Sequence, residues 1–313
     1  MIAVVLAVAV LAPLVGSAVS RLASLDGRVA GRVLTISAGT ATVAALVVAV
    51  ASGLDDDGVV GEIGDSVLVA ERASSLLLAL VTATGLVVTS FSRRSLDGDP
   101  RAARYFALMG IVLTGSALVV LPGQPLPLLA GWIASTWALV GLIGHRNDWA
   151  PAGAAQRRIG RTLAVGDVAL ILAVAVATWA GGAGVISRPG TGVAELADTN
   201  VLGIESTHVV AILLAVAGAA RSALIPFHRW LPGTLTAPTP VSALVHAGVG
   251  SGAGLLLLRV APLFVSASVA MHLLFALGVV TVVVGTGAML VRSDVKGSLA
   301  WSTVAQMAFM VVQ

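Results

Sequence analysis

Residues 78–88 read LALVTATGLVV, apolar or small throughout, with no alternation. A strand with one wet face alternates with period two, and a transmembrane β-barrel is built from such alternating segments. A run that stays apolar on every face for about 20 residues can cross a bilayer as a helix, which satisfies its own backbone hydrogen bonds. This run extends over 67–90. Nine others share its character: 2–20, 33–53, 105–121, 126–143, 162–180, 207–226, 241–258, 266–291 and 298–313. The fold class is therefore all-α, a polytopic transmembrane bundle of about ten helices.

Composition agrees. Apolar residues make up 58% of the 313 and charged residues 11%, against about 25% charged in an ordinary soluble domain. Too little polar surface exists to cover a globule in water. The first apolar run is read as a spanning helix rather than a cleaved leader, because basic residues follow it and none precedes it. There is no cysteine, which excludes disulfides and thiolate metal sites. No P-loop, Gly-rich dinucleotide turn or H-E-x-x-H helix is present, so neither a cofactor nor a metal ion is expected in this chain.

The loops alternate in charge. The first, third, fifth, seventh and ninth connections hold fifteen of the eighteen basic residues, from Arg21, Arg28 and Arg32 to Arg292 and Lys296. The other side keeps only Arg72, Arg188 and Arg259, with acidic Asp55, Asp56, Asp57 and Asp65. By the positive-inside rule the odd connections face the cytoplasm and the N-terminus lies outside a cell membrane. The pI near 10.5 does not point to nucleic-acid binding, because the basic residues are spread over the loops and all but Lys296 are arginine.

Ionisable groups at membrane depth are costly and are functional candidates. Asp167 lies in the sixth segment, about one turn from its basic end; it is either an ion-pathway carboxylate or a local partner of Arg161. Arg221 ends the run ILLAVAGAA (212–220) and is either a pathway charge or an interfacial charge that snorkels to water. His246 is either a proton group or a structural histidine. Lys296 is a fourth pathway candidate, although beside Asp294 it also reads as a loop charge. His208 and His272 read as structural.

Residues 221–248, RSALIPFHRWLPGTLTAPTPVSALVHAG, carry Pro226, Pro232, Pro238 and Pro240 within fifteen residues. Irregular backbone beside membrane helices is tolerated where it is packed in protein or lines a wet cavity, and broken helices mark ion sites in transporters. Arg221 precedes the break and His246 follows it, so both are expected to reach one polar pocket.

This stretch resembles the antiporter-like membrane subunits of respiratory complex I and of Mrp-type cation/proton antiporters. Arg221 stands at their lysine position. Pro226, Trp230 and Leu231 match, as do Pro238 to Leu244 and His246. Asp294, Lys296, Ser302, Thr303 and Gln306 match a second motif, and Gly166-Asp167 a third. The resemblance covers about 66–313, giving an expected division into helices 1–2 (1–65) and an antiporter-like domain (66–313). Two departures stand out. Gly131 and Trp132 are present, but Ile133 replaces the family's buried glutamate. Arg221, which stays protonated, replaces a lysine that can release its proton. Both departures, with SLDGDPRAARYF at 95–106 and Ala237 before Pro238, resemble the DabB branch, whose members serve inorganic-carbon transport.

The resemblance implies a proton- or sodium-conducting subunit, not itself an enzyme, in a bacterial inner membrane. Asp167 and His246 would carry or gate protons, and Arg221 would be a fixed positive charge. The implied partner is a large soluble zinc-containing DabA-like subunit on the cytoplasmic side. Implied alternatives are a proton-pumping subunit of a quinone oxidoreductase or hydrogenase, an Mrp-type Na+/H+ antiporter subunit, and a non-conducting scaffold. The chain stops at Gln313 in mid-helix, and a fragment with an incomplete second repeat is expected.

Overall fold

The computed structural model describes residues 2–22, 26–54, 59–63, 67–121, 123–146, 148–182, 184–187, 191–246 and 252–313. Asp55, Asp56, Asp57, Asp65 and Arg188 lie outside them. Eight described helices are long and apolar enough to cross a membrane. They are α1 (Ile2–Leu22), α2 (Gly27–Leu54), α3 (Arg72–Ser95), α4 (Ala102–Val120), α5 (Pro125–Ile143), α6 (Ala150–Trp179), α14 (Ser268–Val291) and α15 (Val295–Val312). Between α6 and α14 lie the short helices α7 (Gly184–Ser187) and α8 (Val193–Ala197), then the apolar α9 (Ser206–Arg221). After it come α10 (Trp230–Gly233), α11 (Thr239–Leu244), α12 (Gly252–Arg259) and α13 (Ala261–Ser266).

Several expected boundaries move. The run expected as a helix over 67–90 starts as a strand: β1 (Val59–Ile63) and β2 (Leu68–Glu71) form an antiparallel hairpin, and the helix begins only at Arg72. The hairpin docks on the α4–α5 turn, where Val69 N donates to Leu121 O and Gly123 N to Val67 O. A second small hairpin, β3 (Asn200–Val201) with β4 (Ile204–Glu205), leads into α9. Of the segment expected at 241–258, the described residues form α11, which Pro238 and Pro240 start, and α12; residues 247–251 lie outside them. Arg259, read as an exposed loop charge, is buried at the end of α12. Helix α6 starts twelve residues before the apolar run, so Arg157, Arg158 and Arg161 are helical and Asp167 lies well inside it.

Contacts divide the chain into two compact units, residues 1–153 with 237–249, and 154–236 with 250–313. In the first unit α1 and α2 pack on α3 and α4. Hydrocarbon gives no hydrophobic drive between helices, so close approach of small residues and buried hydroxyl bonds hold them. In the first unit Ser17 Oγ donates to Ala107 O at 2.6 Å, joining α1 to α4. Ser52 and Ser75 hydroxyls meet at 2.6 Å between α2 and α3, and Ser92 meets the Tyr105 hydroxyl at 3.1 Å between α3 and α4. Helices α4 and α5 touch at Gly115 and Gly131, where a β-carbon on either would lie 2.6 Å from the other's carbonyl oxygen. Outward faces carry Ile36, Val43, Leu80 and Val87, all more than half exposed, a surface suited to lipid and not to water.

The basic connections of this unit meet at one end. Arg28 pairs with Asp97 at 2.7 Å, Arg101 with Asp148 at 3.1 Å, and His145 with Asp99 at 3.0 Å. These bonds join the first, third and fifth connections, the same set the charge count assigned to one side. Asp99 is largely buried. Burial raises its carboxyl, but the Arg101 amide, the His145 ring and the Arg146 charge outweigh burial and hold it below the ordinary 3.8. A depressed folded value means the stabilisation is complete above about pH 4 and is lost as pH falls through it.

Two stability outcomes follow. Gly131→Val forces α4 from α5 and costs about 1–3 kcal/mol by overpacking, seen as a lower melting temperature in mild detergent. Asp99→Asn lowers the melting temperature at pH 7, and its difference from the unmodified protein closes on acidification below about pH 4.

Candidate functional site at the end of helix α9

Helix α9 is an apolar rod of sixteen residues that ends at Arg221. It stops there, five residues short of the apolar run, because the chain turns through Ala223 at φ +54°. Ser222 N donates to Gly218 O at 2.8 Å and Leu224 N to Ala219 O at 2.9 Å. That six-to-one bond around a left-handed residue is a Schellman terminus, with alanine where glycine is usual. The next free carbonyl, Ala220 O, accepts from the Trp230 indole nitrogen at 2.8 Å. Ile225 N donates to the Thr281 hydroxyl at 2.9 Å, and that hydroxyl donates back to Leu277 O at 2.6 Å. Trp230 is 2% exposed and Thr281 fully buried. The break is thus fastened at three points, as buried irregular backbone requires.

The same geometry positions the charges. Gly166 of α6 faces Ala220 of α9 so closely that a β-carbon on the glycine would lie 2.9 Å from the alanine's. The next residue on each helix is the charged one: Asp167 and Arg221. Both are buried, at 5% and 6% exposure, and the Asp167 carboxylate lies near enough to act on the Arg221 guanidinium. Arg221 also places a positive charge at a helix C-terminus, where the backbone dipole favours it. A buried charge without an opposite neighbour is strongly unfavourable, so the two sustain each other at this depth.

The remaining expected site residues are His246, Lys296, Pro226, Pro238 and Pro240. His246 lies in the first unit, just after α11, and is half-buried. Lys296 is exposed in the first turn of α15, with Nζ 3.4 Å from Leu235 O; its neighbour Asp294 caps that helix by accepting from Gly297 N at 2.7 Å. Pro238 is extended and precedes α11, and Pro240 lies in its first turn. Pro226 follows a cis peptide bond. Among the described residues no group of three or more His, Asp or Glu could hold a metal ion. Thr281 was missed by sequence reasoning: in GVVTVVVGTG a lone hydroxyl is indistinguishable from one that merely bonds back to its own helix.

Residues 126–313 match the family model for the NADH:quinone oxidoreductase/Mrp antiporter transmembrane region. The chain belongs to that family. A probable inorganic carbon transporter subunit DabB1 of Halothiobacillus neapolitanus is 34% identical over 248 residues, covering 79% of this chain and 44% of the relative. The Bacillus subtilis subunit named DabB is 32% identical, covering 83% and 50%. NAD(P)H-quinone oxidoreductase chain 5 of Synechocystis is 32% identical, covering 78% and 36%. The chain spans about half or less of the length of these curated relatives. An Mrp complex from a Dietzia species matches with a TM-score of 0.79 and 26% identity, over 98% of this chain and 34% of that one. The membrane-bound sulfane sulfur reductase, an archaeal respiratory complex, shares the fold at a TM-score of 0.82 and 19% identity. The protein is thus a multi-pass membrane protein with an antiporter-like subunit fold.

Two substitutions at the break should move stability in opposite directions. Trp230→Phe leaves Ala220 O buried and unbonded and costs about 1–3 kcal/mol. Ala223→Gly removes the left-handed alanine and gains about 1 kcal/mol. Melting temperatures in one detergent check both signs.

Proposed function

We propose that this chain is an ion-conducting membrane subunit of an energy-coupled inorganic-carbon transporter. Asp167 would take up and release the coupling proton and Arg221 would be its fixed counter-charge. The observation that carries this reading is the buried Asp167–Arg221 couple set at a broken membrane helix. Arginine stays protonated, so a proton exchanged at this couple is exchanged on the carboxylate. With Ile133 where related subunits carry a glutamate, Asp167 is the acidic member available to the site. The DabB relatives support inorganic carbon as the cargo. A soluble zinc-containing subunit at the cytoplasmic face would perform the hydration chemistry. His246 would be a second group that carries or gates protons.

The basic end of the first unit supports a cytoplasmic placement of the odd connections in a bacterial inner membrane, with the N-terminus outside. The absence of native cysteine makes this directly testable. Leu202→Cys, at a fully exposed turn, should react with an impermeant maleimide in intact cells. Ser95→Cys should react only after permeabilisation. The reverse pattern would overturn the orientation.

The similarity to quinone oxidoreductase chain 5 favours a second reading, a proton-pumping subunit of a redox complex. Purification from native membranes separates the two. Co-purification of a zinc protein without flavin or iron–sulfur subunits supports the first, and redox subunits support the second. In the native assembly, Asp167→Asn should reduce uncoupler-sensitive inorganic-carbon uptake to background. Uptake unchanged in both Asp167→Asn and Arg221→Ala, with the assembly intact, would remove the site assignment.

A further inference from the structure

The basic end of the first unit holds a cavity of about 530 Å³. Its walls include Arg28 and Arg32 from the start of α2, and Arg93, Arg94 and Asp97 from the end of α3 and the turn after it. Four arginines line it with one carboxylate, Asp97, which already pairs with Arg28, and Asp26 also acts on Arg28. The side chains of Arg32, Arg93 and Arg94 make no hydrogen bond or ion pair with the described residues. Buried Phe106 contributes to the lining. Gly31 lets α3 come close: a β-carbon there would lie 2.9 Å from Arg93 Cγ and from the Phe106 ring. The cluster is therefore a shaped recess, not a set of scattered surface charges.

We propose that this recess binds the phosphate headgroup of an anionic phospholipid. Arginine forks match phosphate oxygens in pairs, and basic pockets at the ends of membrane helices attract acidic headgroups. The neighbouring surface decides between a lipid and a soluble phosphate. On α2, Ile36 and Val43 continue the helical row from Arg32; on α3, Phe91, Val87 and Leu80 continue the row from Arg94. All five are at least half exposed. Arg32 and Arg94 thus each head an apolar strip running into the membrane, which fits a charged headgroup with acyl chains below it. A soluble phosphate would use only the recess, and a soluble protein would not reach the strips.

The test uses the protein purified from its native membrane with its associated subunits. Melting temperature is measured with added short-chain phosphatidylglycerol, with phosphatidylcholine of equal chain length, and with inorganic phosphate. Native mass spectrometry counts retained lipid. Phosphatidylglycerol should stabilise and remain bound, while the other two should not. Arg32→Gln should weaken phosphatidylglycerol about fivefold, and Arg32, Arg93 and Arg94 all changed to Gln about a hundredfold. The single variant keeps the test decisive if the triple one does not fold. Equal phosphatidylglycerol binding in Arg32→Gln and the unmodified protein overturns the proposal. So does inorganic phosphate matching phosphatidylglycerol, which would mark a free-phosphate site. Loss of a soluble subunit from Arg32→Gln with lipid binding unchanged overturns it too, in favour of a protein interface.

Discussion

Hydrocarbon offers no hydrogen bonds, so wherever a membrane helix stops at depth its loose carbonyls and amides need partners from the protein itself. In this chain that requirement is concentrated at the end of α9. The Trp230 indole takes Ala220 O, the Leu224 amide takes Ala219 O, and Thr281 takes the Ile225 amide. Without those three bonds α9 would have to continue through its apolar run and carry Arg221 to a different depth. With them Arg221 is fixed where Gly166 brings α6 against α9, and Asp167 comes with it. The charge couple is thus a consequence of how the break is fastened.

The first unit shows the same economy in different form. Hydroxyl bonds and glycine contacts, not large apolar interdigitation alone, hold α1 to α5 together. That leaves the bulky apolar side chains free to face outward. Charge is then sorted to the ends. At one end arginines, aspartates and His145 tie three connections together, and at the other a short hairpin covers the turn between α4 and α5.

Much of this was legible in sequence. Long apolar runs give helices, and their alternating arginines give sides; Arg28–Asp97 and Arg101–Asp148 show the same grouping in space. The proline-rich segment announces a break, and Gly166-Asp167 and Arg221 stand out as charged positions in apolar runs. What sequence could not give was their pairing, since nothing in a residue's spacing says which helix a glycine lets approach. Hydropathy also hid β2, because Leu68–Glu71 is as apolar as the helix it precedes and only its cross-strand bonds reveal it. Arg259 misled for a related reason: an arginine beside an apolar run looks like a loop charge whether it is buried or wet. Lys296 illustrates the converse, a motif residue whose position at the start of α15 is exposed.

The most direct measurement is infrared difference spectroscopy of the intact assembly in vesicles, recorded while a proton gradient is imposed and collapsed. If Asp167 exchanges the coupling proton beside Arg221, a protonated-carboxyl band rises and falls with the gradient and vanishes in Asp167→Asn. The same band persisting in that variant, or no gradient-dependent carboxyl band in the unmodified protein, would contradict it.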